Sequence, residues 1–298
     1  MDRPISVGDL IGDRYELVKL LNKTSMSTVF KAWDRWQEYF VVVKIAINNS
    51  LVPNAVDCLK HEALALQRIG DPHVVHLFDY GDIGESYFVV LEYLYGMDLR
   101  PCLNMGKADK RENACPLPPS VALWVMIEVL DGLKAMHEEG LVHRDIKPEN
   151  LMTTGDEIKI IDLGLVKFLS TADPDIKSLD IHGTATGTPP YLSPEQCQAA
   201  DNLDCRSDLY ACGVVLYELL TGVLPFPTPK ERRKLLEYWK FPMLKFSEVS
   251  LAANIPDKVQ DIVWKALEVD PANRYQTAEE MRMALLVELG SYTKIVLP

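Results

Sequence analysis

The sequence lacks both a long hydrophobic run and an excess of basic residues. Its most hydrophobic stretch has an uninterrupted apolar run only over residues 121–127, whereas about 18 to 20 such residues are needed to cross a bilayer. Lys and Arg number 31 against 43 Asp and Glu, which gives a net charge of −12. Because nucleic acids and anionic membranes attract basic surfaces, this balance excludes a nonspecific binder of either. We therefore predict no membrane segment in this chain and no nucleic-acid partner.

Motifs for export and for metal or disulfide chemistry are also missing. The six cysteines form no CxxC pair, which argues against a zinc ribbon or a thioredoxin-like site. The first residues, MDRPISVGDLIGDRY, have no apolar segment behind a basic start, so no secretory signal is evident. Reduced thiols and a cytoplasmic location are the resulting predictions.

The first part of the chain has the pattern of a small sheet with one helix. The full length of 298 residues is enough for two domains or lobes, at about 150 residues each. Short apolar and β-branched runs predict strands, and apolar residues at helical spacing predict the helix. The predicted strands cover residues 15–21, 28–33, 39–47, 74–78 and 87–93, with the turn-rich GDIGES before the last, and the helix covers 57–69.

The second part has the pattern of a mainly helical lobe. A charged, proline-rich loop is predicted over residues 104–119, and Ser120 is predicted to cap a long apolar helix that ends at His137. Further helices are predicted at 208–221, 229–241, 257–268 and 277–289. The composition changes near residues 92–98, so we predict an α+β chain with lobes at 1–94 and 95–298.

The octad HRDIKPEN, over residues 143–150, carries the strongest chemical signal. Asp162 follows in IIDLG at the end of an apolar strand, and GTPPYLSPE occupies residues 187–195. Upstream, Lys44 lies within the apolar strand VVVKIA, where a charged side chain needs a partner. Glu62, on the single helix of this part, can supply that partner.

This ordered set of motifs resembles the eukaryotic-like Ser/Thr protein kinases of the bacterial type, over residues of about 11–290. The resemblance implies the bilobal protein kinase fold, with a small antiparallel sheet lobe carrying one helix and a larger, mainly helical lobe. It also implies transfer of the γ-phosphate of ATP to Ser or Thr hydroxyls of a protein substrate, autophosphorylation included. The implied cofactors are ATP and Mg²⁺ or Mn²⁺.

Three polar residues are implied to bind the nucleotide phosphates and the metal, and a fourth is implied to pair with one of them. By the resemblance, Lys44 holds the α- and β-phosphates and pairs with Glu62, because a desolvated ammonium without a carboxylate is costly. Asn150 and Asp162 supply oxygen ligands to the metal ion, which prefers hard oxygen donors.

Three further residues are implied to act at the phosphate acceptor. Asp145 accepts or orients the proton of the attacking hydroxyl, and Lys147 neutralises the γ-phosphate. Thr188, in the GTPPY segment, bridges Asp145 and Lys147 through its hydroxyl. Both Lys147 and Thr188 resemble Ser/Thr kinases, since tyrosine kinases differ at these two places.

Arg144, which precedes the catalytic aspartate, is implied to mark control by a phosphate on the activation segment. A phosphorylated hydroxyl brings nearly two negative charges and suits an arginine fork. Lys167 is placed to complete such a basic pocket. The segment runs over residues 162–195, and the candidate acceptors within it are Thr171, Ser178, Thr184 and Thr186.

The nucleotide pocket is also assigned by the resemblance, and it departs from the family in two places. The implied pocket residues are Leu21, Asn22, Thr24, Ser27, Val29, Val42, Lys44, Glu92, Leu94 and Met152. Val42 stands where the family usually has alanine over the adenine ring, so we expect a narrower slot between Val42 and Met152.

The larger departure is a nucleotide loop without glycine, because Asn22, Thr24 and Ser27 stand where glycines are expected. Glycine lets a backbone approach phosphates and adopt positive φ without penalty, whereas a threonine forced to positive φ costs about 1 kcal/mol or more. The substitutions therefore predict a roughly ten- to a hundredfold lower ATP affinity unless their hydroxyls compensate by donating to phosphate oxygens.

Three interpretations stay open on the sequence alone. The intact set Lys44, Glu62, Asp145, Asn150 and Asp162 favours an active Ser/Thr protein kinase. The glycine-free loop and Val42 favour a pseudokinase, a scaffold or binding module with weak or no transfer activity. A small-molecule phosphotransferase is disfavoured, because GTPPYLSPE resembles a platform for a protein substrate.

Other matches indicate architecture rather than chemistry. Glu195 and Arg274 resemble an internal ion pair of the larger lobe. Asp208 resembles a residue that binds the backbone of the catalytic loop, which is the HRDIKPEN segment over residues 143–150. A column that links the two lobes is predicted for Leu66, Leu77, His143 and Leu163, the last in place of the usual phenylalanine.

Overall fold

The computed structural model describes residues 5–47, 54–104, 116–169, 187–200, 203–226, 237, 239–249 and 255–293. Most of the loop predicted over 104–119 and of the helix predicted over 229–241 lies outside these residues. No helix within the described ranges is long and apolar enough to cross a membrane. The cysteines that the structure describes are free thiols: Cys58, Cys102, Cys197, Cys205 and Cys212.

An antiparallel sheet forms the N-terminal lobe, with the spatial strand order β1-β2-β3-β4-β6-β5. Its elements are β1 (Leu10–Ile11), β2 (Tyr15–Lys23), β3 (Ser27–Asp34), β4 (Tyr39–Ala46), α1 (Ala55–Leu66), β5 (Leu77–Ile83) and β6 (Ser86–Glu92). Helix α1 follows β4 in the chain and packs against the sheet. Strand β4 pairs with β6 rather than with β5, the next strand in the chain.

The alternation of side chains in β4 decides which residues reach the interior of the lobe. Val41 and Val43 are buried in the apolar core on one face of the sheet. Val42 and Lys44 lie on the opposite face, because successive side chains of a strand point to opposite sides. That face is the one against which α1 packs. Strand alternation alone therefore turns Lys44 toward α1.

Helix α1 buries Leu59, Glu62, Ala63 and Leu66. Their spacing of three and four residues places them on one face of the helix. A carboxylate on such a face is costly unless it is paired. The position of α1 on the sheet is therefore tied to the partner that Glu62 finds.

The larger lobe is mainly helical in the residues described. Its helices are α2 (Leu99–Asn104), α3 (Pro119–Glu138), α4 (Pro194–Cys197), α5 (Arg206–Thr221), α6 (Asp257–Ala266) and α7 (Ala278–Thr293). Helix α5 is buried along its whole apolar length, as expected of a helix that is hydrophobic all round. It packs against α3 and α6, and α7 packs against α3.

Two small sheets, of three and two short strands, connect other segments of the chain to the strands on either side of the catalytic loop. These short strands are β7 (Met97–Asp98), β8 (Leu141–Val142), β9 (Leu151–Thr153), β10 (Ile158–Ile160) and β11 (Lys167–Phe168). β7 pairs with β9, and a Cβ added at Gly96 would lie 1.8 Å from the carbonyl oxygen of Thr153. Only glycine permits this approach, which fixes the connection between the lobes against the strand that follows the catalytic loop.

The predicted α+β fold, with a small antiparallel lobe and a larger helical lobe, is confirmed, and two local predictions are wrong. The predicted strand at 74–78 instead runs over Leu77–Ile83. Pairing of Tyr80 with Val89 and of Asp82 with Tyr87 continues the ladder through part of GDIGES. Cross-strand packing thus outweighs the turn propensity of this segment.

The second wrong prediction concerns the start of the long helix. Helix α3 begins at Pro119, with Pro118 as its N-cap, so Ser120 lies inside the first turn and does not cap it. Proline is favoured at the first helical position because its fixed φ suits the helix and its missing N–H leaves no donor unpaired. The short helix α2 was not predicted.

Candidate active site

Lys44 forms two ion pairs that join the sheet, helix α1 and the segment after β10. Its Nζ lies 2.7 Å from Glu62 Oε2 and 2.7 Å from Asp162 Oδ1. The side chain of Glu62 is 1% exposed and that of Lys44 12%, whereas half of the Asp162 side chain is exposed. The pair predicted between Lys44 and Glu62 is therefore present, and it is buried next to an accessible carboxylate.

The charges of this cluster stabilise one another. Attraction to Lys44 is the main cause that lowers the pKa of Asp162 to about 2. Burial by itself would lower the pKa of Lys44, but the carboxylates of Asp162 and Glu62 outweigh it and raise that pKa above its ordinary value. Lys44 is thus a cation and Asp162 an anion at neutral pH.

Asp145 is held by donors on both of its carboxylate oxygens. Oδ1 accepts from the backbone N–H of Thr188 at 2.9 Å and from its hydroxyl at 2.8 Å. Oδ2 accepts from Lys147 Nζ and, at 3.0 Å, from Asn150 Nδ2. Lys147 Nζ also donates to Thr188 Oγ1 at 2.7 Å. The bridge predicted for Thr188 is therefore present, and it fixes the orientation of the Asp145 carboxylate.

Asn150 is oriented by the same loop. Its Nδ2 donates to the Asp145 carbonyl oxygen at 2.8 Å as well as to the Asp145 carboxylate. With both amide hydrogens used, the side-chain oxygen of Asn150 is the group that can face a cation.

Asn150 and Asp162 together offer few protein oxygens, and this suits Mg²⁺. No group of three or more His, Cys, Asp or Glu that could hold a metal occurs among the described residues. Mg²⁺ is usually bound by one or two carboxylates plus waters and substrate phosphates rather than by a complete protein cage. The donor set therefore fits a magnesium ion that arrives with a nucleotide.

Asp208 of α5 binds the backbone of the catalytic loop. Its carboxylate accepts from the backbone N–H groups of His143 at 2.9 Å and Arg144 at 2.8 Å, and it lies 2.9 Å from His137 Nε2. Arg144 has a φ of 71°, in the left-handed region that costs a non-glycine residue free energy. The buried carboxylate, as predicted for Asp208, holds this unfavourable backbone in place.

Gly187 lets the GTPPY segment approach the catalytic loop. Its φ is 125°, and a Cβ there would lie 2.5 Å from Leu192 Cδ2 and 2.9 Å from the Arg144 carbonyl oxygen. Neither the backbone angle nor the space admits another residue. Thr188, the next residue, reaches Asp145 only because of this close approach.

The activation-segment candidates Thr171, Ser178, Thr184 and Thr186 lie outside the described residues. At the ends of that segment, β11 pairs with β8 and the carbonyl oxygen of Arg144 accepts from Gln196 Nε2 at 2.9 Å. The segment therefore begins and ends on structure that is attached to the catalytic loop.

A network around Arg100 was missed by the sequence analysis. Its guanidinium lies 2.8 Å from Glu149 Oε1 and 2.6 Å from Glu218 Oε1, and it contacts the hydroxyl of Tyr191. Tyr191 in turn donates to Glu218 at 2.6 Å. Glu149 belongs to HRDIKPEN and Tyr191 to GTPPY, so Arg100 connects both motifs to α5. The polar residues of the two motifs were the available signal, but their shared partner is distant in sequence.

The pocket residues that the resemblance implies come from both lobes. Leu21 is exposed at the end of β2, and Val29 and Val42 are half-buried in β3 and β4. Val29 pairs with Lys44 in the ladder, and Val42 lies on the same face of the sheet as Lys44. Met152, in β9 of the larger lobe, is half-buried.

Glu92 and Leu94 lie in the connection between the two lobes. The Glu92 carboxylate accepts from the backbone N–H of His76 at 2.8 Å and from Lys159 Nζ at 2.9 Å. These two contacts fix the Glu92 side chain at the connection between the lobes. Leu94 is half-buried in the irregular segment that follows.

The glycine-free loop is a tight turn and not a strained one. None of residues 22–27, all of which the structure describes, has a positive φ. The cost expected for a threonine in the left-handed region therefore does not arise, and this part of the prediction is wrong. The backbone avoids that region because Thr24 Oγ1 accepts from the N–H groups of Met26 and Ser27, which closes the turn in an ordinary conformation.

Lys44 and Glu62 of the N-terminal lobe form one ionised cluster with Asp162 of the larger lobe, and the Asp145 carboxylate is bonded to a lysine and a threonine. This arrangement is suited to phosphoryl transfer. Comparison with known proteins gives the family. The chain matches the family described as "Protein kinase domain" over residues 15–286, and it belongs to that family.

Similar proteins include several bacterial kinases. A probable serine/threonine-protein kinase of Clostridium perfringens is 34% identical over 92% of this chain and 38% of its own length. Serine/threonine-protein kinase pkn3 of Myxococcus xanthus is 32% identical over 94% of this chain and 50% of its own length. Serine/threonine-protein kinase PrkC of Bacillus subtilis is 30% identical over 92% of this chain and 40% of its own length. The chain thus spans half or less of the length of these relatives.

Proposed function

We propose that this domain transfers the γ-phosphate of ATP to Ser or Thr hydroxyls of proteins, itself included. The observation that carries the proposal is the Asp145 carboxylate, which is held by Thr188, Lys147 and Asn150. Phosphoryl transfer asks a protein mainly for positioning and charge neutralisation, and this arrangement supplies both. The relatives named above, all described as serine/threonine kinases, support the same class.

The phosphate and metal roles follow from charge and position. Lys44, cationic and braced by Glu62, is suited to bind the α- and β-phosphates. Asp162 and the side-chain oxygen of Asn150 are suited to hold Mg²⁺ or Mn²⁺, which neutralises charge on the phosphates when bound. The ion pair of Lys44 with Asp162 keeps both groups ionised and close before a nucleotide arrives.

At the acceptor, Asp145 is the residue suited to orient the attacking hydroxyl and take its proton. Thr188 and Lys147 fix the carboxylate, and the Lys147 ammonium also offsets negative charge on the transferred phosphoryl group. A peptide hydroxyl must lie within hydrogen-bond reach of Asp145, next to the GTPPY segment. This placement is why we propose a protein substrate rather than a small molecule.

For the nucleotide base we propose a slot between the lobes. Val29, Val42 and Leu21 form its upper side, Met152 its lower side, and the backbone of Glu92 and Leu94 its edge. We place the lobe boundary at residues 94 and 95, because the large sheet ends at Glu92 and β7 already pairs with the larger lobe. A cytoplasmic location, supported by the free thiols of the described cysteines, completes the proposal. The net charge of −12 supports the absence of a nucleic-acid partner.

No observation among the described residues favours the scaffold alternative. The polar groups that transfer requires are present and joined by hydrogen bonds, and the glycine-free loop is unstrained. Loss of transfer would therefore have to come from weak nucleotide binding, which can be measured separately.

The test is incubation with labelled ATP, Mg²⁺ or Mn²⁺ and a generic basic protein. We expect label on the domain and on the substrate, at Ser and Thr only, and none when the metal is chelated. Label on Tyr, or no label although ATP binds, would contradict the proposal.

We further predict that the activation segment controls activity. Protein expressed in cells is expected to carry phosphate on Thr171, Ser178, Thr184 or Thr186, detectable by mass spectrometry. A phosphate there can pair with the basic groups of Arg144 and Lys167. Replacing all four acceptors by alanine is expected to lower substrate phosphorylation several-fold without changing the melting temperature. Unchanged activity in that variant would exclude this route of control.

A further inference from the structure

The turn between β2 and β3 lies beside the proposed phosphate site. Thr24, Ser25 and Met26 connect the strands, and the Thr24 N–H donates to the Ser27 carbonyl at 2.9 Å. In the adjoining ladder Val29 pairs with Lys44. The turn therefore adjoins the strand pair that carries Lys44, the residue suited to bind the phosphates.

The hydroxyl of Thr24 uses all of its hydrogen-bonding capacity inside the turn. Oγ1 accepts from the N–H groups of Met26 at 3.2 Å and Ser27 at 3.1 Å. It also donates to the Ser27 carbonyl oxygen at 3.3 Å. A hydroxyl has one donor hydrogen and two acceptor lone pairs, so no capacity of Thr24 remains for a phosphate.

Other contacts hold the turn in this closed form. The Ile47 N–H donates to the Met26 carbonyl oxygen at 2.7 Å, and the Met26 side chain packs against the main apolar core. Ser27 is only 7% exposed, so its hydroxyl does not extend toward solvent. The amides of Met26 and Ser27 are thus satisfied within the turn before any ligand binds.

We propose that Thr24 is a positioning residue that competes with nucleotide phosphates for the amides of Met26 and Ser27. Each amide has one hydrogen, so it must leave Thr24 Oγ1 before it can donate to a phosphate oxygen. A charge-assisted bond is stronger than the neutral one it replaces, so the nucleotide still binds. Its affinity is lower, because the bonds to Thr24 Oγ1 must break first. The inference rests on the proposed ATP binding and explains how a loop without glycine serves it.

The matched variants are Thr24→Val, which keeps the branched shape without the hydroxyl, and Thr24→Ser, which keeps the hydroxyl. Calorimetric titration with a non-hydrolysable ATP analogue and Mg²⁺ is expected to show about three- to tenfold tighter binding by Thr24→Val, the scale of one or two ordinary hydrogen bonds no longer broken. Thr24→Ser is expected to match the parent. Adenosine, which has no phosphate, should bind all three proteins equally.

Amide hydrogen exchange without nucleotide tests the closed turn directly. The amides of Met26 and Ser27 are expected to exchange faster in Thr24→Val than in the parent and in Thr24→Ser. Unchanged exchange, or unchanged or weaker binding of the ATP analogue by Thr24→Val while adenosine binds normally, would overturn the inference. A parent that binds neither adenosine nor the ATP analogue would instead contradict the proposed function.

Discussion

Replacing Asp145 by asparagine is expected to lower phosphoryl transfer by a factor of about 10² to 10⁴, the usual contribution of a positioned general base. Asparagine cannot accept the proton of the attacking hydroxyl. Its amide nitrogen would also meet donors from Lys147 and Thr188 that now point at a carboxylate. The measurement is the rate of substrate phosphorylation at saturating Mg²⁺ and ATP, together with the nucleotide dissociation constant, which should change little.

Further variants separate this role from a loss of fold. Asp162→Asn and Lys44→Ala are expected to lose transfer too, but with weaker metal-dependent nucleotide binding. Asp156→Asn changes an exposed aspartate in the turn before β10 and should behave as the parent. All of these variants are expected to melt cooperatively. Transfer by Asp145→Asn at more than a few per cent of the parent rate would remove Asp145 from the proposed role.

The residues of the site that could be predicted from sequence are those that lie in short ordered motifs or stand out in an apolar strand. Lys44 is recognised because a charge inside an apolar strand needs a partner, whereas Asp145 and Asp162 are recognised because the HRDIKPEN and IIDLG motifs resemble those of protein kinases. Strand alternation then predicts that Lys44 turns toward α1, where Glu62 lies.

Contacts between distant segments could not be predicted in this way. Arg100 follows the connection between the lobes in an unremarkable stretch, and its partners Glu149, Tyr191 and Glu218 come from three other elements. They are brought together by the packing of α2 against the turn at Pro148–Asn150 and of α5 against the turn at Pro189–Tyr191. The loop shows a second limit, because its missing glycines predict strain, whereas the side chain of Thr24 provides a turn that needs no positive φ.

The ion pair of Arg274 with Glu195 is expected to have the largest effect on stability. The Arg274 side chain is fully buried, and its nitrogens lie 2.7 Å from both carboxylate oxygens of Glu195. It also donates to the backbone carbonyls of Glu268, Arg206 and Val269. We expect Arg274→Met to lower the free energy of unfolding by about 3 to 5 kcal/mol, the cost of leaving a buried charge without its partner.

Chemical denaturation of the parent and variants measures this cost, and a surface pair provides the control. Lys265 and Glu280 are 2.7 Å apart but each is 42% exposed, so Lys265→Met is expected to cost no more than about 1 kcal/mol. Arg274→Lys should recover only part of the loss, because an ammonium has three donors and lacks the planar fork. A cost of Arg274→Met equal to that of the surface control would contradict the role assigned to this pair.

The pH dependence of the same variant tests the charge itself. Burial opposes ionisation of Glu195, but hydrogen bonds from Arg274 outweigh it and hold the pKa of Glu195 below its ordinary value. A depressed pKa contributes stability above the unfolded pKa of about 4.3, and this contribution is lost as the pH falls through the folded value. In Arg274→Met the carboxyl of Glu195 is buried without its partner and gains from protonation. The stability deficit of the variant is therefore expected to narrow as the pH falls from the raised pKa of Glu195 in the variant to its depressed pKa in the parent, whereas a deficit caused by lost packing alone would stay constant.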